Sequence, residues 1–190
     1  IRPAGAPATQ IDVIESTGVP HGDRLEKLEP FREILDTPEA LRNPKQILFG
    51  AYDGGLPART EGLSGLEGKL RFNFPIISFY SAWGDKPEQQ FPTRMAETID
   101  QLGSVPLITW EPWVADFDPR RRTHIPSGDE REYGSLAAIA KGDYDFYILP
   151  WATSAAEFKK PIFLRFAHDM NDPYRYPWGP QNGNRPEDFI

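Results

Sequence analysis

Apolar residues gather in four short runs, at 47–52 (ILFGAY), 75–80 (PIISFY), 105–110 (VPLITW) and 161–166 (PIFLRF), separated by polar stretches rich in glycine and proline. Each run reads as a strand, and the fourth has the near-continuous apolar character of one covered on both faces, as in a parallel sheet. Between them the period lengthens. Residues 62–72 read as a short helical stretch, and 93–102 as a helix with Met95, Ile99 and Leu102 on one face, closed by Gly103. A polar excursion at 114–131 precedes a helix carrying Leu136, Ala137, Ile139 and Ala140, and a further segment follows at 144–158. Residues 185–190 look like the first turn of another helix.

Strand starts at 47, 75, 105 and 161 give spacings of 28, 30 and 56 residues. A (β/α)8 (TIM) barrel of roughly 250 residues allots about 31 to each unit. The first two spacings match, and the third is lengthened by the excursion. The pattern predicts an α/β chain that covers roughly the first four β/α units of such a barrel, residues 47–190, with the C-terminal half absent. A four-unit sheet leaves two open parallel edges, which proteins close or cover. Residues 1–46 read as an N-terminal leader, broken by prolines at 3, 7, 20, 30, 38 and 44. Only short helices fit there, at 24–35 and 38–42, the second opened by Thr37, Pro38 and Glu39. Residues 1–22 read as an extended arm or interdomain linker.

Composition narrows the function. With 39% hydrophobic and 26% charged residues, the chain can bury one core and is neither fibrous nor disordered. No window offers the ~18 consecutive apolar residues of a membrane span. A net charge of −7 argues against a nucleic-acid partner, which would need clustered Lys and Arg. The single basic run, Arg120, Arg121 and Arg122, lies among Asp116, Asp118, Asp129 and Glu130 and reads as a solvated loop. The absence of cysteine excludes disulfides, thiolate catalysis and cysteine-based zinc sites. A start at Ile1 without a basic-then-apolar leader fits a processed protein or a piece cut from a longer one.

The candidate chemistry lies at the ends of the third and fourth apolar runs. In parallel α/β architectures sites are built at the carboxyl ends of strands, where the loops converge on a rigid support. His168, Asp169 and Asn171 follow the fourth run directly. Asp169 is the best candidate for a functional carboxylate, its pKa raised if the aromatic loop through Tyr174, Tyr176 and Trp178 desolvates it. Its structural alternative is a loop cap or an ion pair with Arg165. Glu111, between Trp110 and Trp113, ends the third run and is a second carboxylate at the same end. His168 is placed to bond a ligand hydroxyl or orient the acid, and His21 and His124 lie too far along the chain to complete a metal site.

Aromatic residues make up 13% of the chain, and Trp83, Trp110, Trp113, Tyr174, Tyr176 and Trp178 recur at strand ends and in the loops after them. Flat aromatic faces pack on the C–H faces of pyranose rings, and their polar tips bond hydroxyls. Each taken singly fits a core position equally well. Asp53, Gly54, Gly55, Leu56 and Pro57 read as a tight turn, not as a phosphate-binding loop. No cofactor is expected.

The motifs FGAYDGGLP (49–57), SFYSAWG (78–84), ITWEPW (108–113) and RFAHDMNDPYRYPWGPQN (165–182) together resemble glycoside hydrolase family 26, over roughly residues 47–190. That family has a (β/α)8 fold and includes endo-β-mannanases and β-1,3-1,4-glucanases. The resemblance implies retaining hydrolysis of a β-linked polysaccharide, β-glucan or β-mannan, by a secreted or periplasmic enzyme. In the family the last motif commonly reads His-Glu-Met-Asn-Gly, and its Glu is the acid/base. The matching position here is Asp169, which the resemblance makes the acid/base position. One methylene shorter, its carboxyl would sit ~1 Å short, a misplacement on the scale that costs about 10²-fold in rate. The resemblance also implies that His168 contacts substrate and that Asn171 and Trp178 line the cleft, beside Tyr176, Trp83, Trp110, Glu111 and Trp113. The family's nucleophile is a Glu after the seventh strand, beyond this chain. A carbohydrate-binding or polysaccharide-assembly module without catalysis is the alternative.

Overall fold

In the computed structural model the described residues are 49–190 except 127, 173 and 190. The elements run β1 (Gly50–Tyr52), α1 (Glu61–Leu70), β2 (Ile76–Ala82), α2 (Thr93–Gln101), β3 (Val105–Glu111), α3 (Ser135–Lys141), α4 (Asp145–Phe158) and β4 (Phe163–Phe166). The four strands form one sheet in the order β1-β2-β3-β4, and every pair is parallel. This is an α/β arrangement with helices alternating between strands, compatible with the first part of a β/α barrel. The expected leader and its two helices lie outside the described residues.

The period of two along each strand divides the sheet into two faces. Register places Ala51, Ile77, Pro106 and Phe79, Ile108, Leu164 on one face, with Trp110 and Phe166 above them. Leu63 of α1, Ala96 and Ile99 of α2, and Tyr147 and Trp151 of α4 pack with Ile77, Phe79, Ile108 and Trp110 in the main core. Ile76, Leu107 and Phe163, of opposite parity, do not belong to it. The described helices therefore cover one face. Tyr80 and Arg165 on the other face are exposed.

Local chemistry explains several elements. Thr60, at the N-terminus of α1, makes no side-chain cap. Asp53 does so from ten residues upstream, accepting Leu63 N at 2.9 Å on Oδ2 and Gly55 N at 2.8 Å on Oδ1. The expected DGGLP turn is thus also the cap of the following helix. In α2 the face expected from Met95, Ile99 and Leu102 is the packed one. The excursion folds into short 3-10 helices at Val114–Asp116, Pro119–Arg121 and Gly128–Arg131. Buried Arg131 holds it by donating to the carbonyls of Val114, Ala115 and Phe117. Arg120 and Arg121 pair with Asp118 in the solvated loop expected, whereas Arg122 turns inward to pair with Asp85 and lie over the Phe146 ring at 4.4 Å.

One segment left without an assignment takes a form, and two expectations change. The 144–158 segment is a 14-residue helix, α4, with Pro150 inside it. Pro150 is exposed, and its missing N–H leaves the helix without one bond to the carbonyl of Phe146. The fourth strand is not covered on both faces: Leu164 is 47% exposed and Arg165 exposed, because β4 is an edge of this sheet. Finally, Trp83 and Trp110, expected in a ligand cleft, are core residues at 0% and 6% exposure. Trp110 shares the parity of Ile108, which turns its ring toward the helices, where it lies 4.4 Å from Trp151 and 4.6 Å from Trp83.

Candidate functional site

The site forms where β3 and β4 end side by side. Glu111 pairs with Ala82 on the face opposite the helices, since it follows Trp110 by one residue. Beyond β4, Ala167 N donates to Trp110 O at 3.0 Å, and the chain then turns through two left-handed residues, Ala167 at φ 44° and Asp169 at φ 52°. That turn brings His168 inward and Asp169 outward. His168 is 8% exposed, whereas the Asp169 side chain is 56% exposed.

His168 is the hub. Its Nε2 lies 2.9 Å from the Tyr176 hydroxyl and 3.9 Å from Asp169 Oδ2, and its Nδ1 lies 3.8 Å from Glu111 Oε1. Nδ1 is buried without a hydrogen-bond partner. Two carboxyl groups thus flank one imidazole, and they differ in environment. Burial pushes the Glu111 carboxyl above the ordinary glutamate range, against the opposing pull of the Trp113 indole hydrogen bond and of His168. Asp169 is the carboxyl open to solvent.

The aromatic loop covers His168 instead of Asp169. Tyr176 and Trp178 stack at 4.7 Å with an 11° interplanar angle, and Trp113 packs edgewise on Trp178 at 5.1 Å. Trp178 is 1% exposed and donates its Nε1 hydrogen to the His168 carbonyl at 2.7 Å. The expected desolvation of Asp169 by Tyr174, Tyr176 and Trp178 is therefore not the arrangement found, since Tyr174 is 84% exposed. Nor does Asp169 cap the loop or pair with Arg165. Asp172 accepts Tyr174 N and Arg175 N at 2.9 and 3.0 Å, and Arg165 bonds Thr109 Oγ1 through Nε and one terminal nitrogen at 3.0 and 2.6 Å.

The structure thus brings together His168, Asp169, Glu111, Trp113, Tyr176 and Trp178, and leaves Asn171 exposed two residues beyond Asp169. Trp83 and Trp110 are not part of the assembly's open surface. Asn171 and Trp178 also border a largely apolar cavity of about 360 Å³, walled by Leu136, Met170, Pro186 and Phe189. Sequence reading missed Tyr80, 50% exposed with its ring edge-on to His168 at 5.4 Å, and Tyr52, 61% exposed and 5.9 Å from Tyr80. The parity of Ile77 and Phe79 against Tyr80 was the signal that could have found them. Among the described residues, no three His, Asp or Glu side chains converge to hold a metal ion.

No protein-family model matches the chain, and no curated protein matches it in sequence. No helix among the described residues is long and apolar enough to cross a membrane.

Proposed function

We propose that this chain is the first half of a (β/α)8-barrel glycosidase resembling glycoside hydrolase family 26, acting endo on β-glucan or β-mannan. The observation that carries the reading is the pair of carboxyl groups, Asp169 and Glu111, on either side of His168 at the carboxyl ends of adjacent parallel strands. The strands follow one another across the sheet in chain order, with the described helices packed on one face. Barrels wind this way, and doubly wound sheets do not.

Asp169 is the acid/base of this reading because it is the carboxyl that a glycosidic oxygen can reach. It protonates the leaving oxygen and later activates water, while His168, bonded to the Tyr176 hydroxyl, lies beside it and Glu111 lies on the far side of the imidazole. A retaining mechanism needs a second carboxylate about 5–5.5 Å from the acid, supplied by the remainder of the barrel.

The exposure of Asp169 and its left-handed backbone support a second reading, a carbohydrate-binding module that keeps the aromatic wall without hydrolysis. Reducing-end assays of the full-length protein on a panel of β-glucans and β-mannans separate the two. Under the first reading, Asp169→Asn lowers hydrolysis by about 10²- to 10⁴-fold. Unchanged hydrolysis would remove Asp169 from the acid role. Binding without turnover by the wild type would establish the second reading.

A further inference from the structure

We propose that Glu111 is a positioning residue that holds His168 in its Nδ1–H tautomer, so that Nε2 offers a lone pair to the Tyr176 hydroxyl and aims no hydrogen at Asp169. This rests on the acid/base reading above for its consequence, while the tautomer itself follows from the packing. Nδ1 is buried with no hydrogen-bond partner, and His168 is 8% exposed. A buried ring nitrogen left unpaired carries a desolvation cost, and no group from outside reaches it past its neighbours. Glu111 Oε1, at 3.8 Å, is placed to accept a hydrogen from it.

Glu111 is itself held. It ends β3, and the Trp113 indole donates to its carboxyl. Turning the carboxyl to bring Oε1 within about 2.9 Å of Nδ1 completes a bond from an N–H to a carboxylate, one of the stronger kinds in a protein interior. In an imidazole, the hydrogen bond made at one nitrogen sets the state of the other. With the hydrogen on Nδ1, Nε2 is an acceptor, and its 2.9 Å contact with Tyr176 Oη is a bond donated by the hydroxyl.

The imidazole meets titratable groups from three elements: Tyr80 of β2, ring to ring at 5.4 Å, Glu111 of β3, and Asp169 and Tyr176 of its own loop. Glu111 faces Nδ1, whereas Asp169 Oδ2 lies 3.9 Å from Nε2. An Nε2–H would aim a hydrogen at Asp169, and a bond of that kind favours a carboxylate in its ionised form, which has no proton to give. A bare Nε2 leaves Asp169 free to carry a proton to a leaving oxygen. Glu111 thus acts on the acid through His168 and without touching substrate.

The test is long-range proton–nitrogen correlation NMR of the full-length protein with its histidines labelled in nitrogen, at about pH 8, where carboxyl groups are ionised. His168→Asn identifies the two ring-nitrogen signals by their loss. The wild type should show Nδ1 protonated and Nε2 bare. Glu111→Leu, which removes the acceptor and keeps the bulk, should move the hydrogen to Nε2, a change of roughly tenfold or more in the ratio of the two forms. Tyr176→Phe should leave the hydrogen on Nδ1. A hydrogen found on Nε2 in the wild type, or shared evenly between the nitrogens, overturns the proposal without recourse to any variant. A Glu111→Leu protein that keeps Nδ1–H, or a Tyr176→Phe protein that loses it, overturns the assignment to Glu111. Wild type that carries Nδ1–H yet hydrolyses no β-glucan or β-mannan would remove the acid reading and leave the tautomer standing.

Discussion

The indole Nε1 of Trp178 donates a 2.7 Å hydrogen bond to the backbone carbonyl of His168, ten residues earlier in the chain. This bond ties the loop after β4 back onto the turn that presents the candidate acid. Trp178 is almost wholly buried beneath Tyr176 and beside Trp113. It acts on the site by fixing the backbone of His168, and it offers no face to a sugar.

Replacing Trp178 with Phe keeps most of the apolar volume and strands a buried carbonyl. The expected cost is about 1–3 kcal/mol of stability, read as a lower urea midpoint with an unchanged slope. A midpoint equal to the wild type would show that the bond does not hold the turn.

Asp53 caps α1 across a loop, and both of its oxygens accept backbone N–H groups. Asp53→Ala should destabilise the protein by about 0.5–2 kcal/mol, and Asp53→Asn, which keeps one acceptor oxygen, by less. Denaturant unfolding of the two variants side by side tests the order. Equal losses would assign the effect to charge and not to the two acceptors.

Glu111 makes stability depend on pH. Its folded-state pKa is raised above the ordinary value of 4.5, so folding favours the protonated form. That contribution is fully present below the unfolded pKa and is lost as pH rises through the folded one. Wild type should therefore lose stability relative to Glu111→Gln as pH is raised from about 4 to about 7. Urea midpoints measured for both proteins across that range decide it, and a difference that does not change with pH would show that the carboxyl is not held protonated by its surroundings.

The strands and the carboxyl end where the chemistry gathers were legible because both are local properties. An apolar run of six residues bounded by turn residues reads as a strand, without saying which of its faces is covered, and a polar residue at its end is positioned by the chain itself. Ile99 and Met95 predicted the packed face of α2 for the same reason, since helical spacing is set by the backbone. The aromatic-rich stretch around Phe146, Tyr147 and Trp151 carried no such period. Its helix is packed by rings on several sides, and Pro150 within it reads locally as a break.

Taken alone, the sequence determined which segments become strands, that Asp53 begins a structured turn, and that Glu111, His168 and Asp169 lie at strand ends. Tertiary structure decided which aromatic residues are wall and which are core. Trp83 and Trp110 join the helices on one side of the sheet, while Tyr52 and Tyr80 face away from them. The covered face carries Ile77, Phe79, Ile108 and Trp110 and the other Tyr80, Thr109, Glu111 and Arg165, so parity within each run hints at the division, and the side on which the helices pack decides it. Tertiary structure also decided that the loop carrying Tyr176 and Trp178 closes over His168. That contact depends on the left-handed turn at Ala167 and Asp169: aspartate visits this conformation more readily than most residues, alanine does not, and the bond from Trp178 to the His168 carbonyl ties the turn down.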